Sequence, residues 1–113
     1  MKQYTTPDQT AKLIELGLPK PKSIEVYREG HCVPFVEQRW DYSIGELIEM
    51  LPRVITYKDD DEDVVANLEI GVGIIGWNVS YVELFSIYIN ISSAELIDAL
   101  YDMVVKLKEE EVI

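Results

Sequence analysis

The stretch VVANLEIGVGIIGWNVSYVELFSIYINI, residues 64–91, decides how this chain folds. From Val64 its polarity alternates with a period of two. Ala66, Leu68, Ile70, Val72 and Ile74 fall on one side, and Asn67, Glu69, Gly71 and Gly73 on the other. Gly76 permits a turn, after which Trp77, Val79 and Tyr81 alternate with Asn78 and Ser80. Phe85, Ile87, Ile89 and Ile91 then alternate with Ser86, Tyr88 and Asn90. Three consecutive strands with short connections predict an antiparallel meander, with one buried face and one wetter face.

Downstream, Ser92 and Glu95 read as a capping box that opens a helix. Leu96, Ile97, Leu100, Met103, Val104 and Leu107 make a continuous apolar stripe along it, widened by Ala99, Tyr101 and Val105. Glu95, Asp98, Asp102 and Lys106 lie opposite, with Asp102 placed to pair with Lys106. Matching the two periods predicts the core. Leu68, Ile70, Val72, Val79, Phe85, Ile87 and Ile89 should pack on Leu96, Leu100, Met103, Val104 and Leu107. Asp98 is then a solvated position, whose removal should cost less than about 0.5 kcal/mol.

Upstream, Thr6-Pro7-Asp8-Gln9 is a capping box with proline at the first helical position, and Asp8 stands four residues before Lys12. The helix covers about 7–16 and ends at Gly17 before Pro19. Residues 23–42 are less regular: Ile24 and Val26 suit a short strand, and Pro34 limits Val33–Tyr42 to an edge strand or an irregular return. Ser43 and Glu46 form another capping box, for a helix over 44–51 that Pro52 stops. Arg53–Lys58 adds a few extended residues. The run Asp59-Asp60-Asp61-Glu62-Asp63 reads as a solvated loop, because adjacent acids repel. The fold class is therefore α+β: an antiparallel meander of 3–5 strands, packed by an amphipathic C-terminal helix, with two shorter helices.

All 113 residues fit a single domain, 1–113, since no Gly/Ser- or Pro-rich linker interrupts them. A hydrophobic share of 48% supports a core without metal or disulfide staples. Residues 1–40 carry six Lys/Arg against five Asp/Glu, a net of +1, while residues 41–113 carry four against sixteen, a net of −12. The resulting −11 excludes direct binding to a nucleic-acid backbone. The lone Cys32 suits a reducing cytoplasm. The polar start MKQYTTPDQT and the lack of a long apolar run imply neither a signal peptide nor a membrane span.

The inventory for chemistry is thin. His31 and Cys32 are sequence neighbours, which point opposite ways in an extended segment and do not make a Cys–His pair. The acidic run lacks the alternating ligands and central glycine of a calcium loop. Gly71, Gly73 and Gly76 are followed by neither a lysine nor a helix, unlike a phosphate loop. The pairs Glu46/Glu49 and Asp98/Asp102 fall on outer helix faces, where carboxylates stay ionised. Asn78-Val79-Ser80 and Asn90-Ile91-Ser92 match glycosylation sequons, but in a cytoplasmic strand they carry no sugar. No catalytic, cofactor-binding or metal-ligating residue is assigned. What stands out is the wetter sheet face, where Asn67, Glu69, Asn78, Ser80, Ser86, Tyr88 and Asn90 gather small polar groups around an aromatic ring.

Three strings together carry a resemblance: YTTPDQTAKLIELGLPKPKS, YSIGELIEMLP and ELIDALYDMVVKLKEE. They resemble a group of small uncharacterised proteins of gut anaerobic bacteria, encoded around prophages and other mobile elements. The strand Trp77-Asn78-Val79-Ser80-Tyr81, followed by a helix with Ala99-Leu100, is also similar to the phage ABA sandwich domain. Neither group implies an activity for particular residues. The chain reads as a non-catalytic binding protein, accessory to a phage or mobile element, whose partner is a protein or a second copy of itself. An acidic decoy that imitates DNA toward a basic nucleic-acid-binding protein is the alternative, and a small enzyme is the next.

Overall fold

The computed structural model describes residues 2–21, 24–29, 34–39, 41–59, 62–83 and 86–113. Helix α1 (Pro7–Glu15) begins at the Thr6 cap, whose side chain accepts from the Gln9 backbone while Gln9 reaches back to the Thr6 N–H. Strands β1 (Ile24–Glu29) and β2 (Pro34–Arg39) pair with each other as a separate antiparallel two-stranded sheet. Pro34 is the first residue of its strand, the position where a missing N–H is tolerated. Helix α2 (Ile44–Met50) carries the Ser43/Glu46 capping box. Strands β3 (Val54–Asp59), β4 (Glu62–Gly73), β5 (Gly76–Val82) and β6 (Ile87–Ser93) then form an antiparallel meander in the order β3-β4-β5-β6, and α3 (Leu96–Glu109) closes the chain. The α+β class and the packing of the last helix on a curled sheet are as the periodicities predict.

Helix α3 lies on the face of the meander that holds Ile55, Ala66, Val79, Tyr81 and Ile89, all buried with Leu96, Ile97, Leu100, Met103, Val104 and Leu107. Leu13 of α1, Leu47 of α2, Tyr42 and Leu51 on either side of α2, and Ala99 of α3 join the same core. Two buried hydroxyls are fully engaged. Tyr42 donates to the Pro19 carbonyl (2.5 Å) and Tyr81 to the Pro52 carbonyl (2.7 Å). Burial pushes the Tyr81 phenol up to about 12. Near residue 5, the Thr5 N–H donates to the Tyr42 carbonyl and the Tyr42 N–H to the Thr5 hydroxyl, and the Thr5, Thr10 and Asp41 oxygens link in series.

Several expectations are corrected. Ile70, Val72 and Ile87 are not core residues: they are 36%, 73% and 62% exposed. The first two sit on the predicted face, but Ile70, opposite the buried Val79, lies where β3 has ended and, among the described residues, leaves the edge of β4 open, and Val72 lies near the hairpin end. Ile87 sits on the other face, because the β5–β6 register shifts between Tyr81 and Val82: Tyr81 faces Ile89, whereas Val82 faces Ile87. Phe85, His31 and Cys32 lie outside the described residues. The acidic run is not a loop throughout; Asp59 ends β3 opposite Glu62, and Asp63 opposes Lys58, with a Lys58 Nζ to Asp63 Oδ1 distance of 3.6 Å. Lysine charge across the strands offsets part of the repulsion.

The third capping box does not form. Strand β6 continues through Ser93, the helix N-cap is Glu95, and only the Ser93 hydroxyl meets the Glu95 N–H. Asp98 is not solvated either. It accepts from Lys2 Nζ (2.8 Å) and Gln9 Nε2 (2.9 Å), so it ties the chain start and α1 to α3. Burial raises its carboxyl, but the Lys2 and Gln9 hydrogen bonds and the Lys2 charge outweigh that and hold it below the usual range. Asp102 is pushed up by burial and by Asp98, and Lys106 pairs with Glu110 instead (3.1 Å). Lys12, four residues after Asp8, approaches Glu109 at 3.9 Å.

Candidate interaction surface

The meander face turned away from α3 is built in rows by strand register. Glu69, Ser80 and Asn90 stand side by side across β4, β5 and β6. Gly71, Asn78 and Ser92 form the next row toward the hairpin end, and Asn67, Val82 and Ile87 the row on the other side. A groove of about 450 Å³ runs over these rows, lined by Glu69, Asn78, Ser80, Val82, Ile87 and Asn90, with Ile70 and Val72 at its margin. Ser80 lies at its floor, only 7% exposed, while Glu69 and Asn90 flank it in the open.

Hydrogen bonds hold the polar row in place. Ser92 Oγ donates to Asn78 Oδ1 (2.5 Å), and Asn90 Nδ2 donates to Ser92 Oγ (3.3 Å). Asn78 also lies across Gly73. A Cβ there would stand 2.5 Å from Asn78 Nδ2, so the missing side chain is what lets the amide lie flat on the strand. Such a surface offers hydrogen-bond donors and acceptors around an apolar end formed by Val82 and Ile87.

Five of the residues picked from the sequence, Asn67, Glu69, Asn78, Ser80 and Asn90, are brought onto this one face. Ser86 is not; it lies in the β5–β6 connection and donates to the Glu83 carboxylate. Tyr88 sits at the register shift and stacks on Tyr57, with ring centroids 3.8 Å apart and planes 10° from parallel. That stack brings the two outer strands together at one end of the curled sheet. Alternation alone missed Val82 and Ile87, since it assigns Ile87 to the opposite face. The register shift has no signature of its own in the sequence.

A second depression, of about 410 Å³, is lined by Leu18, Pro19, Met50 and Ile113, with Lys20, Glu46 and Glu49 at its edge. Glu46 is committed there to the Ser43 capping box. Among the described residues no group of three or more His, Cys, Asp or Glu is placed to hold a metal ion. Nor, among them, is any helix long and apolar enough to cross a membrane. Acidic charge on the described elements is partly offset by lysines, at Lys2–Asp98, Lys12–Glu109, Lys58–Asp63 and Lys106–Glu110. Comparison with protein-family models, curated proteins and solved structures finds no match to this chain.

Proposed function

We propose that this chain is a binding protein with no catalytic step of its own, which contacts a partner protein through the open face of the meander. The observation that supports the reading is the groove over β4, β5 and β6. Its floor is a nearly buried serine, its sides are an ordered Asn78–Ser92–Asn90 chain, and its end is apolar. Surface of this mixed character, polar rows that end on an apolar patch, is what protein partners bury. On the resemblance of its three strings to small prophage proteins rests the further proposal of a role accessory to a phage or other mobile element, in the cytoplasm.

Affinity capture from a bacterial lysate tests the reading with three baits: the wild type, Asn90→Arg on the groove, and Glu15→Arg on the exposed end of α1. A partner held by the first and third baits but lost from the second is the expected result. Equal capture by all three would refute the assignment of this face. Capture of a basic nucleic-acid-binding protein, indifferent to Asn90→Arg and released as salt rises, would point to charge mimicry instead. Turnover of a small molecule that disappears on substituting His31 or Cys32 would make the protein an enzyme.

A further inference from the structure

Strand β4 outruns its neighbour on one side. β3 pairs with it only from Glu62 to Asn67, and the last bond on that edge is from the Leu68 N–H to the Arg53 carbonyl (2.8 Å). β5 holds the opposite edge from Asn67 to Gly73. From Glu69 to Gly73, therefore, one edge of β4 has no partner strand among the described residues. Because Leu68 turns its N–H toward β3, the alternation of an antiparallel strand turns Ile70 and Val72 the same way, while Glu69 and Gly71 face β5.

Sheet edges in proteins are ordinarily blunted by lysine, proline, a bulge or an inward charge. The segment Glu69-Ile70-Gly71-Val72-Gly73 has none of these beyond the single acid at its start. It is also flanked by aliphatic surface: Val72, Ile74 and Ile75 are among the most exposed large hydrophobic side chains of the described residues. Open backbone groups between exposed aliphatic side chains call for a strand as the occupant.

We infer that this edge pairs with the same edge of a second copy of the chain, antiparallel, about a two-fold axis through Gly71. The register follows from which groups are free. Pairing centred on Gly71 sets Ile70 against Val72 of the partner subunit and Val72 against Ile70 of the partner subunit, so the outward N–H and C=O groups of both residues are satisfied on each chain. Centring on Ile70 would set Val72 against Leu68, whose N–H already serves Arg53. Centring on Val72 would set Ile70 against Ile74, which lies in the β4–β5 turn. The same register places the one acid of the segment, Glu69, opposite Gly73 of the partner subunit, away from its own copy. Ile70 and Val72 of both chains then share one face and cover each other. The contact is isologous, so it closes at two copies. It goes beyond the partner-protein reading and does not depend on it.

Two measurements test the pairing on the full chain. Light scattering across a concentration series should approach twice the 13.0 kDa chain mass, more readily as salt screens the −11 charge of each copy. Val72→Pro removes an N–H of the open edge and spares the bonds to β5, so it should return the protein to monomer. Ile70→Lys does the same by charge, should the proline variant fail to fold. In a Cys32→Ser background, Gly71→Cys should form a disulfide-linked dimer on mild oxidation. A Cβ at Gly71 meets nothing within 4 Å, and residues facing across a non-hydrogen-bonded pair lie about 4.5 Å apart at Cα, inside the range a disulfide spans. A wild type that stays monomeric at millimolar concentration would overturn the inference. So would a dimer that survives both edge substitutions, or an assembly that grows beyond two copies.

Discussion

Asp98→Ala distinguishes the structure from its sequence pattern, which leaves that residue on the solvated side of a helix. In the folded chain its carboxylate accepts from Lys2 Nζ at 2.8 Å and Gln9 Nε2 at 2.9 Å, with side-chain exposure of 31% for Asp98 and 34% for Lys2. A hydrogen bond to a charged group contributes about 1.5–3 kcal/mol when desolvated, but exposed ion pairs fall to about 0–1. At intermediate exposure the two bonds together should contribute about 1–2 kcal/mol. Losing the repulsion on Asp102 returns a few tenths of that, which favours the lower end, since like charges four residues apart on a helix cost about 0.2–0.5 kcal/mol. The melting temperature at pH 7 should fall by about 4–8 °C. The pH dependence has a definite sign. The folded carboxyl is held below its ordinary value, so its stabilisation is present above the unfolded value, about 3.9, and is lost as pH falls through the folded one. Thermal melts followed by circular dichroism, of wild type and variant, between pH 7 and pH 2.5 measure both. A difference under about 1 °C at pH 7, or one that persists unchanged at the acid end, would refute the reasoning.

Leu100→Ala, at a fully buried position facing the sheet, should cost about 2–5 kcal/mol in urea melts, whereas Ile87→Ala on the open face should cost far less. Gly76→Ala should destabilise by more than about 2 kcal/mol, because the residue sits at φ +140° and its Cβ would stand 2.4 Å from the Ser93 carbonyl oxygen. Gly71→Ala, with open space at the same point, should stay within about 1 kcal/mol. Tyr81→Phe removes the bond to the Pro52 carbonyl and should cost about 1 kcal/mol at neutral pH. Its folded phenol titrates at about 12, above the unfolded value near 10, so the buried neutral form favours folding below pH 10 and that contribution is lost as pH rises. Ultraviolet titration should therefore show a late tyrosine component that shrinks in the variant, leaving the raised Tyr42 and Tyr101 phenols.

Local chemistry made most of the elements legible. The Thr6/Gln9 and Ser43/Glu46 boxes sit where their residues imply, because a cap is settled within four residues. The α3 stripe is buried as its period requires. What alternation cannot say is how far the covering helix reaches. At about 1.5 Å per residue, α3 spans about 21 Å, while β4 at about 3.4 Å per residue spans about 40 Å. Ala66 is therefore covered, and Val72 on the same face is not. Asp98 was illegible for another reason: its cation stands 96 positions away. The candidate surface was readable in Asn67, Glu69, Asn78, Ser80 and Asn90, whose strands keep their register, and misread at Tyr88 and Ile87, where it shifts.

The order of the meander has a bearing on how the chain assembles. From β3 to α3 every strand pairs with its neighbour in sequence, so each hairpin can close a short loop before the next is made. Helix α1 has no such route. Its ties to α3, Gln9 to Asp98 and Lys12 to Glu109, span nearly the whole chain, while Thr10 links it to Thr5 and Asp41 and Leu13 enters the core. Its dock on α3 can form only once α3 has, and it should be the first helix to detach from it. In native-state hydrogen exchange, the amides of α1 should open together at a free energy below that of β5 and α3, a separable unit at the edge of a cooperative one.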